Sequence, residues 1–280
     1  MKTGIIDVGG GFRDIYGAGV LDYCLDRGIG FDYALGVSAG TANLASFLAG
    51  QRGRNYKFYM EYGFRKEYAS LENFLKHRSY VDLDYAYGTL SNEGGECPFD
   101  FDAFLANPTP FMAVACDANT GEPIYYDKSR VRKNDLGPLK ASSALPIFCK
   151  PYVVDGVPGL DGGIVDPIPL ERAFADGCER VVLILTRPVA EPRVQKKDIM
   201  FARILARRYP RAAERLLARW QVYNDGVALA QQYARDGRVL IVAPDDVCGL
   251  STLARSHEKL EQMYAKGYRD AEAIKAFTRA

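Results

Sequence analysis

Five residues, Gly36-Val37-Ser38-Ala39-Gly40, constrain the fold more than any other part of this chain. They follow the apolar run Tyr33-Ala34-Leu35 and open Thr41 to Gln51, a stretch without a charge. A strand that passes straight into a helix through so tight a turn has no room for side chains beside its apex, so both flanks must be glycine. The apex serine is then turned outward, with its hydroxyl at a helix N-terminus, where negative charge is stabilised. The segment reads as a nucleophile elbow with Ser38 at the apex and Gly36 and Gly40 as its flanks. It also fits an ordinary strand-to-helix turn, so the rest of the chain decides.

Around the elbow, strand and helix signals alternate. Gly4 to Val8 reads as a short buried strand, and Tyr16 to Arg27 has apolar residues at helical spacing, ended by Gly28 and Gly30. Further strands are predicted at Phe111 to Cys116, Pro123 to Tyr126, Arg180 to Leu185 and Val239 to Val242. This alternation predicts an α/β fold with a mainly parallel sheet and helices on both faces. Gly88 to Pro110, rich in Gly, Asn, Asp and Pro, is expected to be a long loop near the site. A helical section is expected from about 193 to 235. The strand at 239–242 then returns the chain to the sheet, which argues for one domain with a helical insertion.

With 280 residues, 48% of them hydrophobic, the chain can bury a sizeable core. A net charge of +1 gives no reason to expect nucleic acid as a partner. The charge is uneven, however: Arg193 to Arg219 holds nine basic and two acidic residues. Ile199, Phe201, Ile204, Leu205, Leu216, Leu217 and Trp220 recur there at helical spacing, interrupted by Pro210. Such a segment either lies on anionic lipid or packs on the domain with its charges in water. Six dispersed cysteines read as reduced, buried residues of a cytoplasmic chain, and no secretory signal is expected. Neither histidine spacing nor paired cysteines suggest a metal, and no cofactor is expected.

Two more segments carry chemistry. Gly9-Gly10-Gly11-Phe12-Arg13 follows the first strand and leads into a helix, so its backbone N–H groups can hold an anion. That anion is a nucleotide phosphate or a tetrahedral oxyanion, unless the glycines serve only close packing. The dinucleotide reading is poorly met, because Asp14 stands where a glycine is needed, Asp32 precedes the second strand, and no phosphate-loop lysine is present. A nucleophilic serine also needs a base. His77 and His257, the two histidines, both sit among charges, although the order Ser38, Asp161, His257 matches hydrolase triads. The other candidate base is Asp161, followed by Gly162 and Gly163 in a sequence that permits a close turn.

Gly-Gly-Gly-x-Arg, then Gly-Val-Ser-Ala-Gly, then Asp161-Gly162-Gly163 resemble, in order, the three signatures of the patatin-like phospholipase family. Ala141 to Pro146 and Asp161 to Pro169 are similar as well. The resemblance covers roughly 4–175 as a catalytic core, with 176–280 as the C-terminal part of the same domain. It implies a three-layer α/β/α fold and hydrolysis of lipid acyl esters, of the phospholipase A or lysophospholipase type, without a histidine. Ser38 would be the nucleophile, Asp161 the base, and Gly9, Gly10 and Gly11, supported by Arg13, the oxyanion hole. The implied partners are a lipid or acyl-ester substrate and an anionic membrane touched peripherally.

One departure stands out: Asp14 replaces the glycine usual in that family. It is expected to cap the following helix and pair with Arg13, the alternative being a weakened hole. That alternative suits a different class of protein, a catalytically weak lipid-binding or regulatory one. Phe58, Tyr59, Met60, Tyr62, Phe64 and Tyr68 line an acyl groove or are simply core.

Overall fold

The computed structural model describes residues 1–253 and 255–279, without the side chain of Lys197. The described residues build one eight-stranded sheet from β1 (Thr3–Asp7), β2 (Tyr33–Val37), β3 (Phe111–Asp117), β4 (Pro123–Asp127), β5 (Tyr152–Val154), β6 (Val157–Asp161), β7 (Arg180–Ile184) and β8 (Val239–Val242). Its order is β5-β6-β3-β2-β1-β7-β8, and β4 pairs with β3 off this path. Strands β1, β2, β3, β7 and β8 are parallel, whereas β4, β5 and β6 run antiparallel to their neighbours.

The helices are α1 (Ile15–Asp26), α2 (Ala39–Leu48), α3 (Arg54–Met60), α4 (Leu71–His77), α5 (Phe101–Ala106) and α6 (Gly137–Ser142). After them come α7 (Leu170–Ala175), α8 (Lys196–Leu205), α9 (Pro210–Arg235), α10 (His257–Asp270) and α11 (Glu272–Arg279). Successive strand residues point to opposite faces, and both faces are covered. Ile5 and Ala34 join a core with Ile15, Leu21, Leu44 and Leu260, while Ile6 and Leu35 join one with Leu170, Tyr223 and Val227. The mainly parallel α/β/α architecture is therefore as expected. Helix α10 is tied to α1 by Tyr16, which donates to Asp270, and by Tyr264, which donates to Asp22, both at 2.9 Å.

Two features differ from the expectation. Within the supposed loop at 88–110 lies α5, capped by the Asp100 carboxylate accepting the Ala103 N–H at 2.9 Å. Its six residues are too few to carry a visible helical period. Unforeseen too is the β5–β6 hairpin, whose two-residue turn uses positive φ at Asp155 and Gly156, the combination that matches strand twist.

That hairpin positions the site. A strand has two edges, and β4 occupies one edge of β3 along Met112 to Cys116. The other edge is shared: β2 pairs with Phe111 to Val114 and β6 with Ala115 to Asp117. The two strands run in opposite directions and meet tip to tip. Val37, the last residue of β2, lies opposite Val114, and Asp161, the last residue of β6, lies opposite Ala115. The residue after Val37 is Ser38.

Candidate active site

Ser38 occupies the turn between β2 and α2 with φ 56° and ψ −130°, a sparsely populated backbone conformation for a residue with a side chain. Packing imposes it. A Cβ at Gly36 would lie 2.5 Å from the Thr41 Cα, and one at Gly40 would lie 2.3 Å from the Asp7 carbonyl oxygen. Ser142, at the end of α6, holds the turn from above. Its Oγ accepts the Ser38 N–H at 2.9 Å and shares a 2.9 Å hydrogen bond with Thr41 Oγ1.

Asp161 is buried. Its Oδ1 accepts the Gly163 N–H at 2.8 Å, and its backbone N–H donates to the Ala144 carbonyl at 2.9 Å. Gly162 and Gly163 allow this approach: a Cβ at Gly162 would meet the Val114 oxygen at 2.3 Å, and one at Gly163 would lie 3.0 Å from Asp161 Oδ1. Asp161 Oδ2 makes no well-formed hydrogen bond among the described residues, yet the Ser38 hydroxyl is near enough to favour its charged form. Burial raises the Asp161 carboxyl above the usual range, and Ser38, Gly163, Arg219 and Arg193 oppose that rise.

The glycine loop lies across the elbow. Gly9, Gly10 and Gly11 have φ of 68°, 148° and 61°, and a Cβ at Gly9 would sit 2.3 Å from the Val37 oxygen. The Gly9 N–H is not open, because it donates to Asp7 Oδ1 at 3.0 Å. This corrects the expectation that all three glycines offer donors: Gly10 and Gly11 carry the N–H groups without a partner among the described residues. The Gly9 carbonyl accepts from Thr186 Oγ1 at 2.6 Å, which fixes the loop to the end of β7. Arg13 reaches Thr252 Oγ1 at 3.3 Å. Burial, with Arg187 nearby, lowers its guanidinium pKa to about 10.

Asp14 does not act as expected. It stands at the N-cap position of α1 but makes no capping hydrogen bond. It is fully buried instead, with its carboxyl against that of Asp7.

An apolar cleft opens beside Ser38. Of the six groove candidates, Phe58, Tyr59 and Tyr68 line it with Gly11, Phe12 and Ala42. The other three do not: Tyr62 packs with Leu90 and Cys97, Met60 lies against the core, and Phe64 stacks on His257 with ring centroids 3.8 Å apart. His257 is exposed at the start of α10, and His77 is exposed on α4. Neither is in the cleft wall. No group of metal-ligating side chains occurs among the described residues. The sequence did not single out Ser142 individually, nor Thr186, which act through contacts distant in the chain, nor Asp7, which meets Gly9, Asp14 and Asn43; Ser142 lay in a run similar to the patatin-like family but had no role there.

The sequence profile of the patatin-like phospholipases matches residues 8–174. The chain belongs to the patatin-like phospholipase family. A second profile, a domain of unknown function (DUF6363), matches residues 209–276. An uncharacterized Escherichia coli protein, YjjU, is 32% identical over 192 residues, covering 67% of this chain and 52% of its own length. An uncharacterized NTE family protein of Mycobacterium tuberculosis is 37% identical over 67 residues, 22% of this chain and 16% of that one. The chain thus spans about half, or less, of these relatives. VipD from Legionella pneumophila shares the fold, with a TM-score of 0.56 at 12% identity over 99% of this chain and 67% of that one. Family membership supports lipid acyl hydrolysis at the family level. No helix among the described residues is long and apolar enough to cross a membrane.

Proposed function

We propose that this protein is a cytoplasmic serine hydrolase of lipid acyl esters, of the phospholipase A or lysophospholipase type, working through a Ser38–Asp161 dyad. The observation that carries the reading is the tip-to-tip meeting of β2 and β6 on one edge of β3, with an apolar cleft beside the serine. Ser38 Oγ attacks the ester carbonyl and Asp161 Oδ2 takes its proton. The N–H groups of Gly10 and Gly11 hold the oxyanion, a contribution of about 3 to 4 kcal/mol for a well-placed donor. The alkoxide leaves with the proton returned by Asp161, and a water activated by the same carboxylate releases the acid. Gly9 and Arg13 shape the loop.

The experiment is a panel of short and long acyl esters and phospholipids, run on the wild type, Ser38→Ala and Asp161→Asn. Hydrolysis abolished in both variants supports the dyad. A folded wild type that hydrolyses none of the panel favours the lipid-binding alternative.

The membrane contact belongs to the same reading. Val194, Ile199, Met200 and Ile204 are exposed among Lys196, Arg203, Arg207 and Arg208, and Leu71, Phe74 and Leu75 are exposed on α4. Phe148 packs its ring on Phe201 of α8 at 5.5 Å and on Tyr80, which follows α4, at 6.3 Å. Apolar side chains within a basic rim fit an anionic lipid surface. Sedimentation with neutral and anionic liposomes over a salt series tests it: binding to anionic vesicles that weakens with salt is expected, and no lipid-dependent binding overturns it.

A further inference from the structure

Beneath the glycine loop lies a pair of carboxyl groups that the dyad does not use. Asp7 ends β1 and Asp14 stands just before α1, at its N-cap position, and neither side chain has solvent exposure. A Cβ at Gly17 would stand 2.5 Å from Asp14 Oδ1 and 2.6 Å from Asp7 Oδ2, so the two carboxyls converge on one spot. Asp7 Oδ1 accepts the Gly9 N–H at 3.0 Å and Oδ2 accepts from Asn43 Nδ2 at 3.3 Å. Asn43 also donates to the Asp14 carbonyl at 2.9 Å. With both carboxyls ionised, neither side-chain oxygen of Asp14 has a donor among the described residues.

Among the described residues, no salt bridge neutralises the pair. The groups facing it are Arg13, next in the chain, Tyr59 of α3, Tyr87 of the turn at 85–89, and the neutral amide of Asn43. Arg13 directs a guanidinium nitrogen to Thr252 instead. Two buried negative charges in contact are costly in so dry a place, and one shared proton removes the repulsion and supplies the missing donor.

We propose that Asp14 is a positioning residue: it carries the proton of a carboxylic acid pair with Asp7, and that pair fixes the glycine loop against the nucleophile elbow. The Asp14 O–H donates to an Asp7 oxygen, and the other Asp7 oxygen holds the Gly9 N–H. The Gly10 and Gly11 N–H groups are thereby left free. Burial raises both carboxyls above the usual range, Asp7 to about 6 and Asp14 well above its ordinary value. The pair thus keeps one proton at pH values above those at which an ordinary aspartate has lost it. Once the pH is high enough to remove that proton to solvent, the carboxylates repel, and the Gly9 anchor is lost.

The chemical claim is tested without reference to catalysis by infrared difference spectroscopy of the wild type against Asp14→Asn at neutral pH. A protonated-carboxyl band present in the wild type and absent from Asp14→Asn is expected; identical carboxyl bands overturn the proposal. The positioning claim rests on the ester-hydrolase reading and uses kinetics, with folding followed by circular dichroism. Asparagine still donates to Asp7, so Asp14→Asn is expected to keep kcat within about threefold while losing the alkaline limb of the wild-type profile. Asp14→Ala is expected to lower kcat about tenfold or more with KM little changed. An alkaline limb unchanged in Asp14→Asn, or wild-type kcat in Asp14→Ala, overturns the positioning role. If the wild type hydrolyses no ester, the infrared result still decides the proton's place.

Discussion

Replacing Ser142 by alanine should damage the elbow without touching the cleft wall. Ser142 is fully buried, and its one hydroxyl serves two groups, the Ser38 N–H and Thr41 Oγ1, each at 2.9 Å. Alanine fills nearly the same volume but leaves the Ser38 N–H without an acceptor, at a cost of about 1–3 kcal/mol for a buried donor. The Thr41 hydroxyl, also fully buried, partly recovers by turning to a carbonyl of its own helix, so the sum is about 2–4 kcal/mol. The strained turn at Ser38 adds to the consequence, since only its surroundings hold it there. Against a total stability of about 5–15 kcal/mol, urea denaturation should show a midpoint lower by about 1 M with an unchanged slope. Displacement of the serine should also lower kcat, by up to about 100-fold. Ser143→Ala is the control: among the described residues that hydroxyl meets only Tyr87, at 3.0 Å and partly buried, so its loss should cost about 0.5–1.5 kcal/mol. If Ser142→Ala is no less stable than Ser143→Ala and keeps wild-type kcat, the hydroxyl does not support the turn and the reasoning fails.

Three further outcomes are expected. His257→Ala should leave kcat nearly unchanged, since its ring is exposed and stacked on Phe64; steady-state kinetics showing a collapse in kcat would restore a triad. Because burial raises the Asp161 carboxyl and the base must be ionised, activity should fall as pH drops through that raised value. The acid midpoint of kcat/KM should therefore lie above the ordinary aspartate value of about 3.9, and a midpoint at or below it contradicts Asp161 as the base. Thr186→Val should cost about 1–3 kcal/mol in a urea titration, because it strips the buried Gly9 carbonyl of its 2.6 Å donor; an unchanged midpoint shows that the loop does not depend on that anchor.

Local patterns in the sequence foretell most of the parallel sheet. Strands β1, β3, β4, β7 and β8 fall within a residue of their expected bounds, and β2 runs into the elbow from Tyr33-Ala34-Leu35, because each is a short apolar run between turn residues. The elbow was legible for a related reason: its glycines answer a local steric demand. The hairpin that carries Asp161 was not foreseen. β5 has three residues, and β6 begins Val-Pro-Gly, so neither shows a strand pattern. Its docking on the edge β2 vacates depends on β3, more than forty residues earlier. Asp14 shows the limit most plainly. An acidic residue at a helix start reads locally as a cap, and only the fold reveals Asp7 beside it.

The central claim, that Ser38 is a nucleophile activated by Asp161 rather than a histidine, is tested most directly by labelling with a fluorophosphonate probe and locating the adduct by mass spectrometry. The account predicts one adduct, on the peptide containing Ser38. It should be absent in Ser38→Ala, strongly reduced in Asp161→Asn and retained in His257→Ala. No adduct on the folded wild type, an adduct on another serine, or its loss in His257→Ala would contradict the account.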